Sequence, residues 1–183
     1  MERRDLLKAA GAAAAFVLMP RTAQAAWETV AAAPLAPPRV LIDDRSALVV
    51  SLADAIIPRT DTPGASDVNV SAFIDVIVAE YYSDEERTAF LAGLDAIVAR
   101  IKSAGDPSFA AMSPDAQRLL LDSLDKPGDR QAPEARAWSR LKGLVVHGYF
   151  TSERVQKDVL KTVILPGRFD GNVPMKTVGA SNG

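Results

Sequence analysis

From Asp43 to Val159 apolar residues recur at three- and four-residue intervals, and most interruptions of that rhythm carry Pro or Gly. A chain patterned in this way builds helices with one buried stripe each, and little else. No segment alternates apolar and polar residues for long enough to make a sheet, and no internal repeat is present. The expected fold is therefore all-α, an irregular bundle of about six helices joined by long Pro- and Gly-rich loops.

Local signals place the helices. Asp43 and Asp44 precede a stripe of Leu48, Leu52, Ala55 and Ile56, closed by Pro58; acidic residues suit the positive end of a helix. Phe73, Ile74, Ile77, Val78 and Tyr81 mark a second helix. Ser83-Asp84-Glu85-Glu86 has the form of a capping box, opening a third helix with Phe90, Leu91, Leu94, Ile97, Val98 and Ile101 and ending at Gly105. Ser113-Pro114 starts a fourth, with Leu120, Leu121 and Leu124 on one face. Pro133 opens a fifth, with Leu141, Leu144, Val145 and Tyr149 inward, and Ser152 caps a sixth through Val155 and Val159. From Leu165, "LPGRFDGNVPMKTVGASNG" reads as an extended C-terminal tail.

The N-terminus belongs to another class of sequence. "ERRDLLKAAG" leads into an uncharged run, Ala9 to Met19, followed by Pro20 and "RTAQAA". A basic start, an apolar middle and a small-x-small ending form a secretory signal, with Ala23 and Ala25 as the small residues and cleavage expected before Ala26. The apolar run makes about 17 Å of helix, too short to cross a hydrocarbon core of roughly 30 Å unaided. Arg3, Arg4, Leu6, Leu7 and Lys8 resemble the twin-arginine signal family, with Glu2 where Ser or Thr is common and Leu6 where Phe is common. General secretion and an uncleaved anchor are the alternatives. The division expected is residues 1–25 as signal, 26–42 as a tether made extended by Pro34, Pro37 and Pro38, and 43–183 as one helical domain with its tail.

The twin-arginine route moves folded proteins, often because a cofactor is acquired first, so the residues that could hold one matter. The full chain carries a formal charge of −2; without residues 1–25, which hold four basic and two acidic residues, it is −4. That balance gives no reason to expect nucleic acid as a partner. With no cysteine, the chain forms no disulfide, thiolate metal site, covalent haem link or iron–sulfur centre. There is no Gly-rich dinucleotide turn and no Gly-x-Ser-x-Gly elbow, and the one histidine, His147, has no neighbouring ligand set. No catalytic, metal or cofactor-binding residue is assigned to the chain, and His147 reads as structural in preference to a catalytic base. A cofactor held by a partner reconciles the export signal with this body.

"LADAIIPRTDTPGASDVNVSAFID", Leu52 to Asp75, resembles the gluconate 2-dehydrogenase subunit 3 family. The likeness is most specific in "IIPRTDTPGA", Ile56 to Ala65, and continues through "YYSDEERTAFLAGLDAI", "SFAAMSPDAQRLLL" and "GYFTSE". The resemblance implies a non-catalytic small subunit of a membrane-associated sugar or alcohol dehydrogenase. It implies a signal-less partner flavoprotein of the glucose–methanol–choline type that holds FAD and is exported with the small subunit by the twin-arginine translocase. It implies a multihaem cytochrome c, with haem c, as a frequent third component, and a periplasmic complex at the inner membrane.

Within this stretch Pro58, Arg59, Thr60, Asp61, Thr62, Pro63 and Gly64 form a candidate partner interface. Two prolines restrict φ and Gly64 permits the turn, so the loop should be stiff, with Arg59 and Asp61 offering charge to a partner. The bland alternative is a chain reversal in which Thr60 and Asp61 bond their own backbone. Trp27, Tyr82, Trp138 and Phe169 are candidate aromatic anchors, although helical spacing makes some of them core instead, and Tyr81 and Tyr82 cannot both face inward. Two other classes of function stay open: a stand-alone periplasmic binding module, and an enzyme using His147 with carboxylates such as Asp75.

Overall fold

The computed structural model describes residues 22–33 and 36–161. Their regular structure is entirely helical, as the apolar period requires. Helix α1 spans residues 22–32, α2 Asp43–Ile56, α3 Val70–Glu80, α4 Asp84–Ser103, α5 Pro114–Asp125 and α6 Pro133–Thr151. Short 3-10 turns occur at Ser66–Val68 and Phe109–Ala111.

Helix α3 is the centre of the molecule. Val70, Phe73, Ile74 and Val78 have no exposed surface, and α2 and α6 pack against α3 and against each other. Helix α4 lies along α6, and α5 covers another part of α6. Gly93 sets the α4–α6 approach: a Cβ there would lie 2.5 Å from the Pro133 carbonyl oxygen and in collision with Ala137. Gly148 does the same where α6 crosses α3, since its Cβ would meet the Phe73 ring at 2.7 Å. At both crossings a missing methyl lets helices come closer than side-chain contact would allow.

The caps read from sequence are present. Ser83 Oγ accepts the Glu86 N–H at 3.2 Å, and the Glu86 carboxylate accepts the Ser83 N–H at 3.1 Å. Gly105, at φ +94°, follows the end of α4, and Ser113 caps α5 ahead of Pro114. Tyr81 is exposed while Tyr82 is half-buried against Phe90.

Two expectations are made definite and one is corrected. The sixth helix follows Ser152 and takes π geometry over Val155–Val159, with Ser152 Oγ accepting the Val155 N–H at 3.4 Å. Of the aromatics open between anchor and core, Trp138 is core; its indole N–H donates to Asp125 at 2.7 Å and pins the end of α5 to α6.

The correction concerns the tether. Residues 26–32 belong to α1, which is docked: Ala23 and Ala26 are buried and Trp27 stacks on Phe73 with ring centroids 5.0 Å apart. Proline acts on its own position and the one before it, so Pro34 limits where α1 stops without unwinding the alanine-rich turns upstream. Ala23, Ala26, Trp27 and Val30 keep the same three-four spacing as the later helices. Residues 36–42 are irregular yet held. The Asp75 carboxylate accepts the N–H groups of Arg39, Val40 and Leu41 at 2.8, 3.0 and 2.8 Å, while the Leu41 side chain enters the core. The extended tail lies outside the described residues.

Candidate partner interface

The loop between α2 and α3 is built from its own backbone upward. Its ends are closed by the Ala65 N–H, which donates to the Ile57 carbonyl at 3.0 Å. Inside that closure the Thr60 N–H reaches the Thr62 carbonyl at 3.1 Å, and Thr60 Oγ1 accepts the Thr62 N–H at 3.4 Å. The Asp67 carboxylate then braces the arch from below. It accepts the Gly64 N–H at 2.8 Å and the Arg59 Nε–H at 2.7 Å, and its second oxygen pairs with the other arm of the guanidinium. A side chain at Gly64 would place Cβ 2.8 Å from the Arg59 backbone nitrogen, which explains glycine there.

Arg59 therefore pairs with the loop's own carboxylate while its side chain stays 72% exposed at the surface. The reason is geometric: a planar guanidinium meets a carboxylate two-fold, and Asp67 lies eight residues on, where the 3-10 turn brings it back. Asp61 is exposed at the apex with Pro58, Thr60 and Thr62, while Pro63 is half-buried and Gly64 buried. The Arg59 and Gly64 bonds hold the Asp67 carboxyl below its ordinary range. A depressed native pKa stabilises the brace at every pH above the ordinary 3.8 and is lost only as pH falls through the lower native value.

Helix α6 and the turn that follows it clasp this arch. The Tyr149 hydroxyl donates to the Pro63 carbonyl at 2.7 Å, and Arg154 donates to the Asp67 carbonyl at 3.2 Å. Phe150 lies edge-on to Tyr149 at 5.3 Å and is exposed, as is Val146 one turn earlier. The segments "PRTDTPG" and "GYFTSE", far apart in sequence, are thus brought together by the Tyr149–Pro63 bond, with Phe150 exposed next to Tyr149. Asp67, Tyr149 and Phe150 are the residues that the sequence reading did not place there. The only available signal was that both segments belong to the same resemblance.

Replacing Asp67 by Ala should loosen the arch and speed tryptic cleavage after Arg59 by about tenfold, because cleavage follows local opening. Limited proteolysis followed by mass spectrometry checks this, with the circular dichroism of the helices unchanged.

The other candidates lie elsewhere. His147 is half-buried on α6, its ring 6.0 Å from that of Phe73, and burial lowers its pKa so that the neutral imidazole is favoured. It borders an open groove of about 990 Å³ between α6 and the start of α4, where Arg140 lies over the Tyr82 ring at 5.2 Å. Asp75 is not paired with His147; both its oxygens are occupied by the backbone of residues 39–41. Among the described residues no three His, Asp or Glu side chains converge as metal ligands. Ala23 and Ala25 lie in α1, whereas Arg3, Arg4, Leu6, Leu7, Lys8 and Phe169 lie outside the described residues.

Among the described residues these features define an all-helical domain with a hydrogen-bonded loop between α2 and α3. The family model described as gluconate 2-dehydrogenase subunit 3 matches residues 43–167, more than half of the chain. The chain belongs to that family. No match was found among curated proteins or among solved structures.

Proposed function

We propose that this chain is the non-catalytic small subunit of a periplasmic, membrane-associated sugar or alcohol dehydrogenase. Its partner is a flavoprotein of the glucose–methanol–choline type, which holds the FAD, has no signal of its own and crosses the membrane bound to this chain through the twin-arginine translocase. A multihaem cytochrome c completes the complex. The observation that carries the reading is the convergence, at the Tyr149–Pro63 bond, of two segments that underlie the family resemblance.

The physical case for contact is preorganisation. An arch closed by backbone bonds and braced by Asp67 has few conformations to lose on binding, so less of the interaction is cancelled by ordering. Phe150 and Val146 are exposed apolar side chains on α6, the helix that bonds the arch through Tyr149, and aromatic side chains dominate interface energetics.

The test is capture of the flavoprotein from the native host on tagged small subunit, read as FAD absorbance. The expected result is a yellow complex of defined stoichiometry, with Phe150→Ala lowering recovery by about tenfold or more, the range of an interface hot spot. A well-behaved monomer that recovers no flavin overturns the reading.

A further inference from the structure

The bond expected to be cut on export, Ala25–Ala26, lies inside a docked helix. Signal processing needs small side chains at the first and third sites before the bond, here Ala25 and Ala23, presented on accessible chain. In the folded protein Ala23 is 1% exposed and Ala26 has no exposed surface. The Ala25 carbonyl accepts the Thr29 hydroxyl at 3.0 Å. Two residues past the bond, Trp27 anchors the segment twice, by its stack on Phe73 and by its indole N–H on Thr151 Oγ1 at 3.1 Å. Thr151 is itself held, donating to the His147 carbonyl at 2.7 Å.

We propose that docking of α1 shields the Ala25–Ala26 bond, so that residues 1–25 stay on the folded protein until that helix is released. Hydrolysis adds water across this one peptide bond, and a peptidase reaches it only after α1 unwinds and Trp27 leaves the Phe73 ring. The product is disfavoured as well. Cleavage creates an α-ammonium at Ala26, which must then sit at a residue with no exposed surface. The inference rests on the export reading, and it couples processing to route. A chain crossing unfolded presents the site open, whereas one that crosses folded arrives with it closed.

The experiment uses the purified full-length chain in detergent micelles with purified bacterial signal peptidase, followed by intact-mass spectrometry. A synthetic peptide of residues 1–35 reports whether the bond is a substrate at all. The expected result is rapid cleavage of the peptide between Ala25 and Ala26, and cleavage of the folded chain at least about tenfold slower, as local opening dictates. Trp27→Ala, with its remaining helicity verified by circular dichroism, should be cut at a rate approaching that of the peptide. Thr151→Val, which keeps the shape and removes the indole's acceptor, should fall between. An uncut peptide overturns the proposal together with the reading of this segment as a cleavable signal. A peptide and folded chain cut equally fast overturn the shielding alone. A Trp27→Ala chain as resistant as the wild type, beside a cleaved peptide, removes docking as the cause.

Discussion

Exchanging Arg3 and Arg4 together for lysine should strand both this chain and its flavoprotein in the cytoplasm. The substitution keeps both positive charges, so a general secretory signal, which needs only a basic start, would be indifferent to it. What it removes is the planar guanidinium, whose five donors in a rigid fork the lysine ammonium cannot imitate. Periplasmic dehydrogenase activity is expected to fall by at least about tenfold while flavoprotein accumulates, loaded or apo, inside the cell. Fractionation with activity and flavin assays on each compartment measures this. Normal periplasmic activity in the double variant would sink co-export by the twin-arginine route while leaving the interface reading intact.

Asp75→Ala is expected to be among the most destabilising single changes in the domain. The carboxylate ends three consecutive backbone N–H groups, and that of Leu41 is buried with its side chain in the core. Hydrogen bonds to a charged acceptor contribute about 1.5–3 kcal/mol each, and donors left buried without a partner cost about 1–3 kcal/mol. The three are not independent, so a net loss of about 3 kcal/mol is the expected scale, a large share of the roughly 5–15 kcal/mol that holds a domain together. For a domain of this size that corresponds to a fall in Tm on the order of 10 °C. Asp75→Asn keeps one accepting oxygen but turns an amide toward a donor, so about half the loss should remain. Thermal and urea unfolding of the two variants against wild type gives the ordering. A Tm change under about 2 °C for Asp75→Ala would show that residues 36–42 are held by the burial of Leu41 alone.

The Asp75 clasp also shows where sequence reasoning stopped. An Asp on an otherwise apolar helix face is visible at once in "VSAFIDVIVAE", and the sequence allows it only as one of the carboxylates an enzyme using His147 could draw on. Its actual partners are main-chain groups more than thirty residues away, and a backbone N–H has no letter in the sequence. Trp138 stayed open between anchor and core for a related reason. Its three-four spacing with Leu141 and Val145 pointed inward, but a residue with a polar end fits core or surface until its acceptor, Asp125, is placed.

The sequence by itself determined the helical class, the capping box at Ser83, the proline start of α5, the glycine after α4 and the inward faces of α3 to α6. These depend on interactions within a few residues, where period, cap and φ restriction act without help from the rest of the chain. It also carried the family, through short segments whose likeness needs no coordinates. The tertiary structure alone decided that α1 folds onto Phe73, that the exposed Arg59 pairs with Asp67 and that Phe150 is left exposed next to the buried Tyr149. Each of those outcomes is a choice among partners distant in sequence or equal in chemistry. Only the closure of the bundle, which brings Tyr149 to Pro63 and Thr151 to Trp27, makes one partner available and buries the alternatives.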